Sequence, residues 1–285
     1  MNDKTSIFGL LGYPLGHSLS PKIHNGIYSL YDINAMYKLF PVQEDMLNDA
    51  VKAIKVLNIS GSNVTIPYKQ KIMQYLDFIS DEALSIGAVN TVKNENGILK
   101  GYNTDYSGFK KSLDYNRVDI NEKDVFVLGA GGAARSIVQC LLNNKAQIHI
   151  FGRTADRASV FIGSLKDTPS EILPCGFDEL NEKIKFMNPH MIVNCTPLGM
   201  KGFEGSIPIT SKDIKGNVNV LYDLIYNPIM TDFLKMGEES GCKIIGGMDM
   251  LLLQALDAIE IWTGKSFDFY SIKEFAEQEG IITNL

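Results

Sequence analysis

Apolar positions along this chain switch between two rhythms. Short apolar runs at 5–11 (TSIFGLL), 35–40 (AMYKLF) and 58–64 (NISGSNV) predict buried strands. Between them the spacing lengthens to that of a helix. PKIHNGIYSL follows Ser20, a helix-cap candidate, with Pro21 at the first helical position. Met46, Leu47, Ala50, Val51, Ile54 and Leu57 recur at helical spacing over 43–57 and make one buried stripe. PYKQKIMQYL predicts a helix restarting after Pro67, and residues 88–104 predict a hairpin about Asn96-Gly97. A second series begins with a strand at 124–128, a helix over roughly 132–143 and a strand at 147–153. EILPCGF, HMIVNCT, VNVLYDL and CKIIGG supply further strand candidates. MDMLLLQALDAIEIWTGKSFDF then reads as a long helix ending near Gly264, and SIKEFAEQEG as a short one. Repeated strand–helix alternation predicts mainly parallel sheets covered by helices.

Length agrees with two domains: 285 residues, at roughly 150 per domain. The expected division is 1–105, then 106–246, with helices of 247–285 returning to the first domain. Hydrophobic residues at 45% and charged residues at 21% are ordinary for a globular chain and exclude a largely disordered one. No apolar run reaches the roughly 20 residues that span a bilayer. The opening MNDKTSIFGLLGYP lacks the basic start and cleavage site of a secretory signal. Cys140, Cys175, Cys195 and Cys242 lie far apart with no CxxC, which fits a reducing compartment. A cytoplasmic protein is therefore expected. A net charge of -6 offers no broad positive field, so neither nucleic acid nor membrane is an expected partner. His17, His24, His149 and His190 form no metal-ligand spacing, and no metal is expected. Oligomeric state, monomer or homodimer, is left open by the sequence.

Gly129-Ala130-Gly131-Gly132-Ala133-Ala134 lies directly between an apolar strand and an apolar helix. Gly129 permits a tight turn, Gly131 lets backbone N–H groups approach a pyrophosphate, and Ala134 lets helix touch strand. The helix N-terminus adds donors and partial positive charge. A tight turn with no ligand is the alternative reading. An NAD site usually places an acid about 20 residues after the first glycine, to hold the ribose 2′-hydroxyl. Here the second strand ends in Gly152-Arg153-Thr154, with Arg157 just beyond. A guanidinium fork matches a 2′-phosphate, so NADP is expected over NAD. Arg157 fits equally a solvated helix position.

The stretch from Gly12 to Asn25 concentrates turn formers, Ser18, Ser20 and two histidines at the C-terminal end of a strand, where α/β proteins bind ligands. Two hydroxyls two residues apart suit a polyhydroxylated ligand, each able to donate and accept. Ser20 alone also fits a helix cap. Thr65 and Lys69 follow another strand; alone, Lys69 also fits a surface cation. Asn90, Thr91, Asn103, Thr104 and Asp105 lie on and just past strands of the same unit. A lysine–aspartate pair there could be positioned for proton transfer.

The motifs GYPLGHSLSPKIHN, NVTIPYK, GAVNT, YNTD, VLGAGGAAR, GRT with the later Arg157, NCTPLGM, YDLIYNPIMT and GMDMLLLQ resemble, in order from Gly12 to Gln254, those of the shikimate dehydrogenase family. The resemblance implies a discontinuous substrate domain with a mixed, mainly parallel sheet, a Rossmann-type NADP-binding domain, and a cleft between them. It implies the reversible reduction of 3-dehydroshikimate to shikimate with NADPH, a step of aromatic amino acid and chorismate biosynthesis. Lys69 and Asp105 match the family's catalytic pair. Ser18 and Ser20 resemble its carboxylate-binding serines, Thr65, Asn90 and Gln254 its ring-hydroxyl ligands, and Tyr226 a further substrate contact. The resemblance assigns Gly129 to Ala134 to the pyrophosphate and Arg153, Thr154 and Arg157 to the 2′-phosphate. Thr196 and Met200 would line the ribose and nicotinamide region, with Gly247 and Met250 beside the ring. Two positions depart. Gly152 stands where the family commonly has Asn, which removes an amide and implies a weaker hold on cofactor. Cys195 replaces a frequent alanine. The runner-up reading is a dehydrogenase of quinate, or of quinate and shikimate, using NAD or NADP. A non-catalytic dinucleotide sensor is the remote one; it predicts loss of the lysine–aspartate pair, and both residues are present.

Overall fold

The computed structural model describes residues 4–16, 18–165, 172–203, 209 and 211–282. The chain forms two compact units, Met1–Gly108 with Leu252–Leu285 and Phe109–Leu251. The division falls a few residues beyond the expected 105/106 and 246/247, inside two helices, Thr104–Tyr115 and Gly247–Thr263. A helix interior carries no turn signal, so the sequence marks neither boundary. Both units are α/β, one with a mixed sheet and one with a parallel sheet, as the fold class expected.

In the first unit the elements run β1 (Ser6–Gly12), α1 (Ser20–Leu30), β2 (Ala35–Pro41), α2 (Leu47–Val56), β3 (Gly61–Val64), β4 (Phe78–Ile79), α3 (Asp81–Ile86), β5 (Thr91–Glu95), β6 (Ile98–Tyr102) and α4 (Thr104–Tyr115). The sheet order is β2-β1-β3-β5-β6-β4. β1 lies parallel between β2 and β3, while β5 runs antiparallel to both β3 and β6. The antiparallel pair follows from the Asn96-Gly97 turn, where both residues have positive φ and Asn94 Oδ1 accepts from Gly97 N–H at 2.8 Å. One face of the sheet buries Leu11, Val51, Ile54, Tyr68, Ile72 and Leu99. On α10 (Gly247–Thr263), Trp262 stacks on Phe8 at 4.5 Å and donates its indole N–H to the Val92 carbonyl at 3.0 Å. Full burial of each such side chain contributes roughly 1.5–3 kcal/mol.

Three local expectations change. Ser20 is not the cap of α1: Leu19 is, without a side-chain bond, and Ser20 opens the helix with its hydroxyl turned to Ser18. The helix expected after Pro67 is a 3₁₀ stretch, Lys71–Tyr75. Val89 N–H takes the Lys69 carbonyl at 2.7 Å, the acceptor an α-helix would offer to Met73, and Met73 N–H turns to Gln70 instead. β4, α3 and α4 appear where no element was expected. α3 is short, capped by the Ser80 hydroxyl accepting from Ala83 N–H at 3.2 Å.

The second unit holds β7 (Asp124–Leu128), α5 (Gly132–Asn143), β8 (Gln147–Gly152), α6 (Ala155–Gly163), β9 (Leu173–Gly176), α7 (Leu180–Met187), β10 (Met191–Asn194), α8 (Ser211–Ile214), β11 (Val220–Asp223), α9 (Asp232–Glu239) and β12 (Lys243–Ile245). Every strand pair is parallel, in the order β12-β11-β10-β7-β8-β9. Strands β7, β8 and β9 build one way from the centre, and β10, β11 and β12 the other. This is the doubly wound order, with its switch point between β7 and β10. The strands carry continuous apolar runs because both faces are covered: Val125 to Leu128 and Met191 to Val193 have no exposed surface.

Candidate functional site

At the switch point, the chain leaves β7 through Gly129, whose φ is +104° and whose N–H donates to the Phe151 carbonyl at 2.8 Å. A Cβ there would lie 2.9 Å from the Thr196 methyl and 3.2 Å from the Cys195 carbonyl, so conformation and space both demand glycine. Gly131 caps α5 with no side-chain bond to the helix amides. A Cβ on Gly131 or Gly132 would meet nothing within 4 Å. The fold itself does not need glycine at those two positions. Open space over uncapped helix N–H groups is what a pyrophosphate requires, so this loop fits a dinucleotide. Ala130 and Ala133 flank the loop, and Ala134 is fully buried against the sheet.

Arg153 and Arg157 are exposed beyond β8, and neither forms an ion pair among the described residues. Thr154 caps α6, its hydroxyl accepting from Arg157 N–H at 3.4 Å. Gly152 has a packing cause: a Cβ would stand 2.8 Å from the Thr154 carbonyl and 3.1 Å from Ala158 N. The start of α6 presses directly on the end of β8.

Thr196 N–H and hydroxyl both donate to Asn194 Oδ1, at 2.9 and 2.7 Å. Asn194 in turn donates to Asp223 at 2.9 Å, which also accepts from Thr231 at 2.6 Å and Ile225 N–H at 3.0 Å. Burial pushes the Asp223 carboxyl up to about 6, against the pull of those three donors. The sequence reading missed this buttress beneath the loop after β10. Met200 N–H donates to the Pro197 carbonyl at 3.0 Å, and Gly247 N–H to Ile225 at 3.1 Å. Met250 is buried, and Tyr226 follows β11 with its phenol pKa raised by burial.

In the first unit the Lys69 ammonium donates to Asp105 Oδ2 at 2.6 Å. Their side chains are 17% and 14% exposed, so the pair is largely withdrawn from water yet still reachable. Lys69 is fixed by its neighbours. Tyr68 is fully buried with its hydroxyl on the Val42 carbonyl at 2.5 Å, and Tyr68 N–H donates to Thr65 at 2.8 Å. Asp105 occupies the first turn of α4, where the helix favours a carboxylate. Thr65 extends β3, its N–H on the Leu11 carbonyl at 2.9 Å, with its side chain half-buried.

Asn90 binds Thr104, the residue before Asp105, through both ends of its amide: Oδ1 accepts from Thr104 N–H at 2.7 Å and Nδ2 donates to the Thr104 hydroxyl at 3.0 Å. The Thr104 hydroxyl reaches Gln254 Oε1 at 3.4 Å. The Ser18 hydroxyl donates to Ser20 Oγ at 3.1 Å. Between these groups run three residues that sequence reasoning did not single out as site residues. Tyr37 donates to Asn63 Oδ1 at 2.8 Å, Asn63 donates to Thr91 at 3.0 Å, and Thr91 donates to Asn90 Oδ1 at 3.0 Å. The one available signal was the run of small polar residues ending β3 and opening β5. His17 lies outside the described residues. His24 is fully buried, and among the described residues no three His, Cys, Asp or Glu side chains gather as metal ligands. No helix among them is long and apolar enough to cross a membrane.

A family model for the shikimate dehydrogenase substrate binding domain matches residues 10–92, and one for shikimate / quinate 5-dehydrogenase matches residues 111–197. A shikimate dehydrogenase (NADP(+)) from Caldanaerobacter subterraneus subsp. tengcongensis is 42% identical over 269 residues, 94% of this chain and 95% of the relative. The chain belongs to the shikimate dehydrogenase family. Among solved structures of this kind, a chorismate mutase/shikimate 5-dehydrogenase fusion protein from Clostridium acetobutylicum superposes with TM-score 0.89 at 39% identity, covering 98% of this chain and 99% of that one. Quinate dehydrogenase from Corynebacterium glutamicum in complex with NAD gives 0.87 at 25% identity, covering 96% and 99%. As a member of the shikimate dehydrogenase family the chain is an oxidoreductase, and its second unit is a Rossmann-type dinucleotide-binding domain.

Proposed function

We propose that this chain reduces 3-dehydroshikimate reversibly to shikimate with NADPH, Lys69 and Asp105 handling the proton. The observation that carries the reading is the ion pair at 2.6 Å, its side chains largely withdrawn from water. The dinucleotide, when bound, supplies the hydride to the carbonyl carbon, or accepts it in reverse. Lys69 Nζ gives a proton to the carbonyl oxygen as that oxygen gains charge, and takes it back in shikimate oxidation. Its positive charge stabilises the developing alkoxide. Asp105 holds the ammonium in place and accepts from a ring hydroxyl. Ser18 and Ser20 bind the carboxylate, and Thr65, Asn90 and Gln254 bind ring hydroxyls, with Tyr226 a further contact. Gly129 to Ala134 cradle the pyrophosphate, Thr196 and Met200 line the ribose and nicotinamide region, and Gly247 and Met250 lie beside the ring.

NADP is the proposed cofactor because Arg153, just past β8, and Arg157, in the first turn of α6, are exposed and without a carboxylate partner among the described residues, with Thr154 between them. A strand-end acid would repel the 2′-phosphate, and none stands there. Quinate with NAD is the second reading; it draws on a relative 25% identical, against 42% for the NADP-type shikimate dehydrogenase. Cys140, Cys175, Cys195 and Cys242 are thiols rather than disulfides, two of them buried, which supports a reducing, cytoplasmic setting. Initial rates of shikimate and quinate oxidation, each with NADP and NAD, test the proposal. Shikimate with NADP is expected to be fastest; faster quinate turnover, or NAD equal to NADP, overturns it.

A further inference from the structure

Tyr37 is held from three sides. Asn25 pins its backbone: Asn25 Oδ1 accepts from Tyr37 N–H at 2.8 Å and Asn25 Nδ2 donates to the Tyr37 carbonyl at 3.0 Å. That doubles as a strand partner for the outer edge of β2. His24 supports the ring, its imidazole stacked face to face at 4.0 Å and 10°. Neither imidazole nitrogen has a hydrogen-bond partner among the described residues, so His24 serves here as a flat neutral plate. The hydroxyl donates to Asn63 Oδ1 at 2.8 Å. An unpaired buried imidazole is costly. It lies beneath a tyrosine whose backbone Asn25 holds and whose hydroxyl Asn63 holds, so the phenol has one closely defined position.

The donors also run in one direction. Tyr37 donates to Asn63, Asn63 to Thr91, Thr91 to Asn90, and Asn90 to Thr104. The Tyr37 hydroxyl heads this relay. Each hydroxyl has one proton, so fixing one donor fixes the next.

We propose that Tyr37 is a positioning residue for the substrate: its hydroxyl fixes the Asn63 amide and, through Asn63 and Thr91, sets how the Asn90 amide is presented to a polyhydroxylated carboxylate. The inference rests on the reading that Asn90 binds the polyol. Tyr37 acts through these partners rather than on the reacting atoms. With its hydroxyl removed, Asn63 Oδ1 loses its buried donor, and the Asn63 amide can turn.

Tyr37→Phe keeps the ring and its stack on His24. Binding groups that act alike on ground and transition states change KM more than kcat. The KM for shikimate is therefore expected to rise about ten-fold or more, with kcat and the dinucleotide KM within about two-fold. Emission from Trp262, the single tryptophan, whose ring centroid is 6.3 Å from that of Tyr37, reports whether local packing survives. Thr91→Val, alone and combined with Tyr37→Phe, gives the second measurement: effects that overlap indicate one relay, and effects that multiply fully contradict it. An unchanged shikimate KM in a variant with native emission overturns the inference and leaves the substrate reading standing. Parallel changes in shikimate KM, dinucleotide KM and melting temperature also overturn it, because they mark a purely structural role. A wild-type protein inert toward both shikimate and quinate removes the substrate reading and the inference with it.

Discussion

Lys69 and Asp105, separated by 36 residues, meet at 2.6 Å between the turn after β3 and the first turn of α4. Neither partner is left to find the other by side-chain motion. Lys69 is tied through Val89, which binds its carbonyl, and Asp105 through Thr104, which binds Asn90. Lys69→Ala is expected to lower turnover by about 10²–10⁴-fold, the usual worth of a positioned general acid. Dinucleotide affinity, read by fluorescence titration, should stay as in the wild type. Turnover close to wild type would remove Lys69 from proton transfer.

Arg153 offers its guanidinium beyond the end of β8, with no carboxylate paired to it among the described residues. Arg153→Ala should weaken NADPH by about ten- to hundred-fold, the range of one charge-assisted hydrogen bond. NADH, lacking the 2′-phosphate, should lose little. Equal losses for both cofactors, measured as Kd or KM ratios, would contradict the 2′-phosphate assignment.

His24 makes an acid-stability prediction. Burial holds its imidazole down to about 3, and the groups facing it are the rings of Tyr28, Tyr37 and Trp262. Below an unfolded pKa near 6.5 the unfolded chain takes up a proton that the folded chain refuses. Stability therefore falls as pH drops through this window, by up to about 1.4 kcal/mol per pH unit from this one group. His24→Phe keeps a flat ring under Tyr37 and removes the titration. Its acid-unfolding midpoint, followed by circular dichroism, should move to lower pH. A midpoint unchanged or higher would show that other groups govern acid unfolding.

Much of this architecture was legible in the chain. The parallel strands of the second unit announce themselves as unbroken apolar runs, and Asn96-Gly97 announces its hairpin. Legibility failed where a local pattern is decided by a distant partner. Val89 takes the Lys69 carbonyl and turns an expected α-helix into a 3₁₀ stretch. Ser20 looks like a cap in sequence, but its hydroxyl answers to Ser18. α4 carries Gly108 and a polar face, so its burial of Phe109 and Leu113 leaves a weak period. The motifs pointed to Lys69, Asp105, Asn90 and the serines. Tyr37, Asn63 and Asp223 stayed hidden, and Thr91 was visible without a role, because a buried polar network is defined by pairings across strands rather than by spacing along one.

Gly129 and Gly131 look alike in the sequence and differ in the structure, which separates fold from function within one loop. Gly129 has φ +104° and no room for a Cβ beside Thr196 and Cys195. Gly129→Ala should cost about 1–3 kcal/mol from backbone conformation alone, with further loss from the clash, and should lower the melting temperature of the free protein. Gly131 has extended backbone geometry at the uncapped end of α5, and a Cβ there meets nothing. Gly131→Ala should leave the melting temperature of the free protein near wild type. Its methyl group would instead occupy space the pyrophosphate needs, so dinucleotide affinity should fall and the stabilisation that added NADP gives the wild type should shrink. Thermal melts with and without NADP distinguish the two variants. If Gly131→Ala binds NADP as wild type does, the cofactor's phosphates do not pass over this residue and the loop assignment fails at that point.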